Sequence, residues 1–543
     1  MRARDEPTTV ASVFDQIADQ KRHHLAVIDE TNSVSYRDLQ AASEAVARSL
    51  LTLNVQRGDR VACLMRNRWE WVACCLGVAK AGATFVPLNT WYRRNELAWT
   101  LRHTDAVCLL AEPQFLGHDY AADLEAIEPS LATAEPGDIK GSQLPSLRTV
   151  VYLDGKAPGA LTWTGFLSVG AGTSIQAVRD RQSSVDANDP LFVLYTSGST
   201  AEPKGVVLPQ ESTIVNGRGI GDRRGLDGDD RIWLGSPLFY GLGATNCLPV
   251  VLSRGATLVV QGRFHPEEAI RVIERHECSV FYGMSNMIRQ IRDCSGFDRH
   301  RLRTLRKGTA GIERNERRVL IEEMGVELAT QSYGATEVCG NCFGGHPGDS
   351  LDLKLDTCGQ LLPGFEAKVV DPETGRTKEP GEVGLLKIRG HTALGYLNAP
   401  GLTAAAFDAD GYYDTGDLGS IGADGYFRYK ARVKEMVKTG GINVSPLEIE
   451  HLLLEHAAVR EAYVVGVPDD RRGEVAVAFV VTEEKVAEKE LQQFVHERAA
   501  SFKVPARVVF LSHNEVPRTA SGKVSKPDLK AAAGKGNSGS PQG

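Results

Sequence analysis

The feature that most limits the architecture of this chain is a rhythm of short apolar runs alternating with segments of helical period. Leu39, Ala42, Val46 and Leu50 recur at helical spacing after Ser35-Tyr-Arg-Asp-Leu, and Arg60-Val-Ala-Cys-Leu-Met follows as a short buried strand. Trp69 to Ala81 is helical again, and Ala83-Thr-Phe-Val-Pro-Leu reads as a strand stopped by proline. The middle of the chain repeats the pattern, with Gly255-Ala-Thr-Leu-Val-Val a strand, Pro266 to His276 a helix and Cys278-Ser-Val-Phe-Tyr a strand. Strand, helix, strand in this order predicts parallel sheets covered by helices, because parallel neighbours need a crossover connection. The expected class is α/β, with a large N-terminal domain of stacked αβ sheets. Residues 112–189 are weaker in pattern and richer in Gly, Pro and Ser, which predicts insertions and loops.

The style of the sequence then changes twice. Residues 380–430 carry short strands separated by Gly, Asp and Asn, as in Gly384-Leu-Leu-Lys-Ile-Arg-Gly, which predicts a β-meander or barrel-like subdomain. After Arg432, a capped helix from Pro446 to Glu455 is followed by strands at Val459 to Val467 and Val475 to Val481, a helix from Glu488 to Ala500, and a strand at Val508-Val-Phe-Leu. That is a small α+β domain of about 100 residues. The expected division is an N-terminal domain over 1–432, a mobile C-terminal domain over 433–530 and a disordered Gly/Ser-rich tail over 531–543.

Bulk properties exclude several functions. Lys plus Arg total 62 against 69 Asp plus Glu, a net charge of −7, which gives no electrostatic footprint for nucleic acid. No apolar run is long enough to predict a membrane span, and the first residues lack the apolar stretch of a secretory signal. Several of the 10 cysteines lie inside apolar segments such as WVACCLGVAKAG, as expected for reduced thiols of a cytoplasmic protein. Cys339-Gly-Asn-Cys342 is one CxxC without a second pair or paired histidines nearby, so it reads as loop or core rather than as a zinc site.

The most informative stretch is Tyr195-Thr-Ser-Gly-Ser-Thr-Ala-Glu-Pro-Lys-Gly205, preceded by the apolar run Leu191-Phe-Val-Leu. It offers the hydroxyls of Thr196, Ser197, Ser199 and Thr200, the glycines Gly198 and Gly205, and Lys204. Hydroxyls and free backbone N–H groups bind phosphate oxygens, and a lysine offsets their charge. The spacing is not that of a Walker A loop. A Ser/Gly-rich surface linker is the alternative, but linkers seldom follow an apolar strand or end in Pro-Lys-Gly-Val-Val-Leu.

This loop resembles the signature of the adenylate-forming superfamily, which includes the AMP-dependent acyl-CoA synthetases and ligases. Further segments resemble that family in the right order, from about residue 10 to 530. Gln331-Ser-Tyr-Gly-Ala-Thr-Glu337 resembles the second signature. The resemblance implies that Tyr333 stacks on adenine, that Gly334 and Gly311 lie beside the nucleotide, that Thr336 contacts the α-phosphate and that Glu337, with Thr196, holds Mg²⁺. Those residue types suit the roles: a flat π-face, a hydroxyl and a hard oxygen ligand. Tyr412-Tyr-Asp-Thr-Gly-Asp-Leu418 resembles the third, which gives Asp417 the ribose hydroxyls. In the segment from Tyr429 to Glu450, Arg432 would reach the ribose, Lys434 falls on the hinge position, and Gly440 and Gly441 would let the backbone approach the pantetheine arm of CoA. Pro517-Arg-Thr-Ala-Ser-Gly-Lys523 resembles the catalytic-lysine motif, and Ser501-Phe-Lys-Val-Pro505 a further short element. Read singly, each of these is also compatible with a polar turn or a solvated charge.

The resemblance implies ATP-dependent activation of a small carboxylic acid to an acyl-AMP, then transfer to the thiol of CoA. The first step sets a carboxylate against a phosphate, anion on anion. Mg²⁺ on Glu337, the hydroxyl loop with Lys204, Thr336, and Lys523 would offset that repulsion. The alternative is a stand-alone adenylating enzyme that loads a carrier protein or an amine. Pro237-Leu-Phe-Tyr-Gly-Leu-Gly243 matches a pocket-lining segment, with Tyr240 where many CoA ligases have histidine. Tyr240, Gly241, Ala310 and Ala335 are the expected acyl-pocket residues. The runs Gly308-Thr-Ala-Gly-Ile312 and Gly283-Met-Ser-Asn-Met287 also depart from the common family pattern.

Overall fold

The computed structural model describes residues 8–196, 203–309, 313–439, 442–469, 471–519 and 524–535. It divides into two compact units, one formed by the chain up to Glu366 with Ile388–Tyr413, the other by Ala367–Lys387 with the chain from Asp414 onward.

The larger unit is built on two sheets. The first has eight strands in the order Gly395–Tyr396, Lys204–Pro209, Pro190–Thr196, Thr84–Pro87, Arg60–Leu64, Ala106–Ala111, Thr149–Tyr152, Leu161–Thr162. From Pro190–Thr196 onward every neighbour is parallel. Lys204–Pro209 and Gly395–Tyr396 are added antiparallel at one edge. The second sheet runs Leu328–Thr330, Lys307–Thr309, Val280–Tyr282, Arg231–Leu234, Thr257–Val260, Leu25–Ile28, Ser33–Ser35, parallel except at the last strand. Val61 to Leu64, Thr84 to Pro87 and Val280 to Tyr282 are buried without a break. That is the pattern of strands covered on both faces, and it explains the unbroken apolar runs in the sequence.

Helices follow from equally local causes. Tyr36–Thr52 begins where the Ser35 side chain accepts a hydrogen bond from the Asp38 N–H at 3.2 Å, an ordinary N-cap. Trp69–Lys80 is buried from Glu70 to its end. It approaches the preceding helix so closely that a Cβ at Gly77 would lie 2.5 Å from Val46 Cγ1, so only glycine fits there. None of the ten cysteines forms a disulfide, nine of them are buried, and Cys339 and Cys342 are fully buried. The stretch 112–189 is more ordered than its composition suggests. It holds the helices Tyr120–Ile127, Trp163–Val169 and Ile175–Ser183, too short to show a clear period.

The smaller unit carries a four-stranded sheet, Glu366–Val370, Gly384–Arg389, Tyr413–Ile421, Phe427–Arg432, in the region expected to be β-rich. A second sheet runs Ile442–Val444, Val437–Thr439, Gly473–Thr482, Val459–Asp469, with Arg507–Phe510 parallel to Gly473–Thr482. Ile449, Leu453, Leu491 and Val495 from two helices bury against it. Asp417 and Arg432 group with the residues after 433, whereas a single cut at 432 was expected. The reason is local. Tyr413–Ile421 pairs with Phe427–Arg432, and Lys430 O accepts a hydrogen bond from Ser445 Oγ at 2.7 Å. The tail also needs correction at its start. Residues 531–535 are not disordered but end the helix Lys526–Lys535, because Leu529 and Ala533, one turn apart, bury against Val467 and Phe479. Residues 536–543 lie outside the described chain.

One buried charge knits four helices of the larger unit. Lys80 is 1 % exposed, and its Nζ lies 2.5 Å from Asp15 Oδ1. The same carboxylate accepts from Gln40 at 3.1 Å and from Gln182 at 2.9 Å. Removing the acid strands a buried ammonium. Asp15→Ala is therefore expected to cost about 3–5 kcal/mol in chemical denaturation, and Asp15→Ala with Lys80→Met to recover most of it. Failure of the double variant to recover would show that lost packing, not the stranded charge, sets the cost.

Candidate active site

The edge of the eight-stranded sheet builds one half of the site. Pro190–Thr196 runs out at Thr196, and the chain returns at Lys204 directly opposite, in register Thr196↔Lys204. Both residues are half-buried. Between them, the expected phosphate-loop residues Ser197, Gly198, Ser199 and Thr200 lie outside the described chain. Gly395–Tyr396 is laid on the returning strand in register Val206↔Tyr396, and Leu397 N donates to Gly205 O at 2.7 Å. That register sets Lys204 Nζ 5.3 Å from the centre of the Tyr396 ring.

The second half is the hairpin Ser332–Ala335 with Gly340–Gly344. A Cβ at Gly334 would lie 1.9 Å from Gly340 O, so the close pairing of the two strands demands glycine. Tyr333 is buried, edge-on to Phe343 with ring centres 6.3 Å apart. The turn Thr336–Val338 then presents Thr336 and Glu337, both half-buried. Tyr396 Oη donates to Glu337 Oε1 at 2.9 Å, and Ala393 N to Glu337 O at 2.8 Å. Burial, reinforced by the Glu337 carboxylate beside it, raises the Tyr396 phenol above its ordinary value, so it remains the donor. Tyr396 thus spans the lysine of the first motif and the carboxylate of the second. Sequence reading passed over it; the signal was a lone aromatic in Gly395-Tyr396, with nothing to mark its partners.

Tyr240 is half-buried among Trp91 and Phe239, with ring centres 5.8 and 4.7 Å away, and its hydroxyl accepts from Asn89 Nδ2 at 3.3 Å. Gly241 adjoins the second motif, since a Cβ there would lie 3.4 Å from Thr336 Oγ1. Ala335 is half-buried in the hairpin. Ala310 and Gly311 lie outside the described chain.

In the smaller unit, Asp417 and Arg432 face each other across a ladder, with Arg432 Nε 3.2 Å from Asp417 Oδ1. Lys434 is exposed in the short turn Val433–Glu435 that leads from one sheet to the next. Gly440, Gly441 and Lys523 lie outside the described chain. The residues flanking Lys523 are firmly held. Arg518 pairs with Val524 in an isolated bridge, and Ser525 N donates to Pro517 O at 2.8 Å. Buried Glu461 takes Arg518 at 3.2 Å, His513 Nδ1 at 2.5 Å and the Tyr463 hydroxyl at 2.6 Å. Lys526 lies 2.9 Å from Glu450 and 3.6 Å from Glu435, next to Lys434. Burial pulls its ammonium down, but the two carboxylates outweigh burial and hold it above its ordinary value.

The residues expected to hold Mg²⁺ are of suitable chemistry for an ion that arrives with a nucleotide. Glu337 and Thr196 supply one carboxylate and one hydroxyl, and Mg²⁺ commonly takes one or two carboxylates and completes its shell with phosphate and water. Among the described residues no group of three His, Cys, Asp or Glu side chains gathers.

Residues 14–397 match the family model of AMP-binding enzymes, and residues 448–523 match the model of the AMP-binding enzyme C-terminal domain. The chain belongs to the AMP-binding enzyme family. It is 34% identical over 532 residues to a methyl-dioxo-octahydroindenyl propanoyl:CoA ligase of Mycobacterium tuberculosis, covering 96% of this chain and 98% of the relative. It is 31% identical over 536 residues to the mitochondrial medium-chain acyl-CoA ligase ACSF2 of Rattus norvegicus, covering 96% and 87%. Among solved structures, the anthranilate CoA ligase AuaEII in complex with anthranoyl-AMP superposes with a TM-score of 0.82 at 26% identity, over 98% of this chain and 99% of that one.

Tyr396→Phe tests the bridge within the larger unit. The ring stays beside Lys204 while the hydrogen bond to the Glu337 carboxylate is lost. Hydrogen bonds to charged groups contribute about 1.5–3 kcal/mol, so the Kd for Mg·ATP in titration calorimetry is expected to rise roughly tenfold or more. An unchanged Kd would make the contact incidental.

Proposed function

We propose that this chain is an AMP-forming acid–CoA ligase that activates a small carboxylic acid as its acyl-AMP and passes the acyl group to the thiol of CoA. The observation that carries this reading is the meeting of Lys204, Tyr396 and Glu337 at one sheet edge, in a chain similar along nearly its whole length to acid:CoA ligases.

In the first step a carboxylate oxygen attacks the α-phosphorus of ATP, the bond to the bridging oxygen breaks and pyrophosphate leaves. The repulsion between the two anions is the barrier to lower. Lys204 and the hydroxyls from Thr196 to Thr200 hold the phosphates, Thr336 meets the α-phosphate, and Lys523 supplies charge to the transition state. When bound, Mg²⁺ on Glu337 and Thr196 offsets phosphate charge. Tyr333 and Gly334, with Gly311, hold the adenine, and Asp417 with Arg432 the ribose. Tyr240, Gly241, Ala310 and Ala335 wall the acyl group. In the second step the CoA sulfur attacks the acyl carbonyl, the acyl–oxygen bond breaks and AMP leaves. Gly440 and Gly441 admit the pantetheine arm after the C-terminal part of the chain, from residue 433 on, turns about Lys434. Ten cysteines without a disulfide support a reducing compartment, and the cytoplasm is the assignment we favour. No helix among the described residues is long and apolar enough to cross a membrane.

A panel of carboxylic acids, assayed for ATP–pyrophosphate exchange and, with CoA added, for acyl-CoA by mass spectrometry, tests the whole reading. Acid-dependent exchange and a CoA thioester are expected; exchange with no thioester would transfer the product to another acceptor. Lys523→Ala should lose roughly 10²-fold or more in adenylate formation and largely retain thioester formation from supplied acyl-AMP. Equal damage to both half-reactions would remove Lys523 from the first. Lys434→Pro fixes φ and should arrest the turn, so that adenylation persists and thioester formation fails. Normal turnover by that variant would exclude the hinge.

A further inference from the structure

Arg224 is a buried guanidinium that no carboxylate of the described residues pairs with. It is 3 % exposed, just past the helix Gln210–Arg223. Its partners are all neutral side chains: Nη1 donates to Asn246 Oδ1 at 3.0 Å and to the Tyr282 hydroxyl, and Nη2 donates to Thr309 Oγ1 at 3.3 Å. Tyr282 is not a hidden counter-ion. Burial pushes its phenol up to about 12, and the phenol itself donates to Asn246 Oδ1 at 3.3 Å. The Asn246 amide nitrogen is directed to Asn341 Oδ1 at 2.8 Å. Donors therefore outnumber acceptors. Arg224 Nε–H and the second Nη2–H, with the Asn341 NH₂, have no acceptor among the described residues. A charge held this way is costly unless something else completes its shell.

Two other arginines of the same unit, Arg317 buried and Arg223 half-buried, show what a structural arginine looks like here. Arg317 donates to the backbone carbonyls of Lys354, Leu355 and Thr357, and Arg223 to those of Gly344, Gln360 and Leu361. Backbone carbonyls fix an arginine in the fold whatever the ligand. Arg224 instead faces hydroxyl and amide groups at the carboxyl ends of the parallel strands Val280–Tyr282 and Lys307–Thr309. That end of a parallel sheet is where α/β enzymes bind their substrates. Thr309 Oγ1 lies 3.2 Å from Ser332 Oγ, next to Tyr333, and Asn341 pairs with Gly334 in the hairpin of the second motif. Asn246 is carried by the π-helix Leu242–Cys247, which directly follows Tyr240 and Gly241. Such π-helical turns concentrate at functional sites. The cation is thus ringed by the segments that wall the acyl pocket.

We propose that Arg224 is a specificity-determining residue, and that the acid activated here carries a second oxygen acceptor, a carbonyl or a second carboxylate, remote from the carboxyl that reacts. This rests on the ligase reading. Arg224, with the Asn341 amide, donates to the distal oxygen, and an acid lacking that oxygen leaves the donors unpaired inside the protein. Sites built to hydrogen-bond a substrate group reject the analogue that lacks it far more strongly than apolar pockets reject a misfit.

The test compares matched pairs of acids of equal length, a keto acid or a dicarboxylic acid against its deoxygenated counterpart, in ATP–pyrophosphate exchange and thioester formation. Wild type is expected to favour the oxygenated member on the order of 10²-fold in kcat/KM. Arg224→Met should abolish that preference through the oxygenated acid, with the deoxygenated acid turned over at least as well as by wild type. Arg224→Lys should retain preference for the dicarboxylic acid if charge is what is recognised, and lose it for both if the planar fork is required; either outcome supports recognition by this cation. Thioester formed from both members alike by wild type would overturn the inference and leave the ligase standing, a result that does not depend on any variant folding. An equal loss for both members in Arg224→Met would likewise overturn it. No thioester from any acid would overturn the ligase reading and this inference with it.

Discussion

The antiparallel addition of Gly395–Tyr396 to the returning strand Lys204–Pro209 is the contact on which the site of the larger unit depends. Without it the Lys204 ammonium and the Glu337 carboxylate belong to elements distant in sequence, held by different sheets. The ladder fixes Tyr396 opposite Val206, two residues beyond Lys204, and strand geometry then carries the phenol to Glu337. A slip of one residue would turn the Tyr396 ring to the other face and separate the pair. The backbone contacts Leu394 N to Val207 O at 2.8 Å and Leu397 N to Gly205 O at 2.7 Å fix the register on either side, and Ala393 N to Glu337 O at 2.8 Å ties the strand to the second motif. The site is therefore positioned by main-chain hydrogen bonds, and the side chains inherit their geometry.

In the smaller unit the same task falls to buried carboxylates. Glu461 is 3 % exposed, and its burial is offset by His513, Arg518 and Tyr463, three donors that flank or support the segment leading to Lys523. Glu450 accepts from Val464 N at 2.8 Å and from Lys526, while Lys526 also reaches Glu435. Glu435 is the neighbour of Lys434. A change of backbone angle at Lys434, the proposed hinge, would thereby be tied, through one ammonium, to the helix Lys526–Lys535. Charged hydrogen bonds are short and directional, so such a network transmits position better than apolar packing does.

Much of this was legible in the sequence, and the exceptions have physical causes. The parallel strands announced themselves because burial on both faces leaves unbroken apolar runs, as at Val61 to Leu64. The residues Lys204, Tyr333, Thr336, Glu337, Asp417 and Arg432 were named as candidates because the short segments that carry them resemble the family's signatures. Tyr396, Glu461, Lys526 and Arg224 could not. Each acts through partners distant in sequence, and a single tyrosine or arginine in a chain carries no local mark of what will be folded against it. The early end assigned to the folded chain failed for a related reason. Lys526–Lys535 is short and rich in lysine and alanine, and only two of its residues touch a core, which leaves the apolar period too faint to read.

How the larger unit treats its buried cations separates structure from function. Lys80 is matched by Asp15, a full counter-charge, and Arg317 by three backbone carbonyls. Both sets of partners belong to the fold itself, in helix packing or at a helix end. Among the described residues Arg224 has neither a counter-charge nor a carbonyl cage, although it is as deeply buried as Arg317. Folding gains little from such an arrangement, since an apolar side chain of similar size would avoid the desolvation cost. A residue that is expensive for stability, set at the carboxyl ends of parallel strands and beside the hairpin of the second motif, is accounted for by the proposed contact with a bound acid. The chemistry at the carboxyl that reacts is common to the family, and on the proposal made for Arg224 this cation acts at the other end of the acid, where the choice of substrate is made.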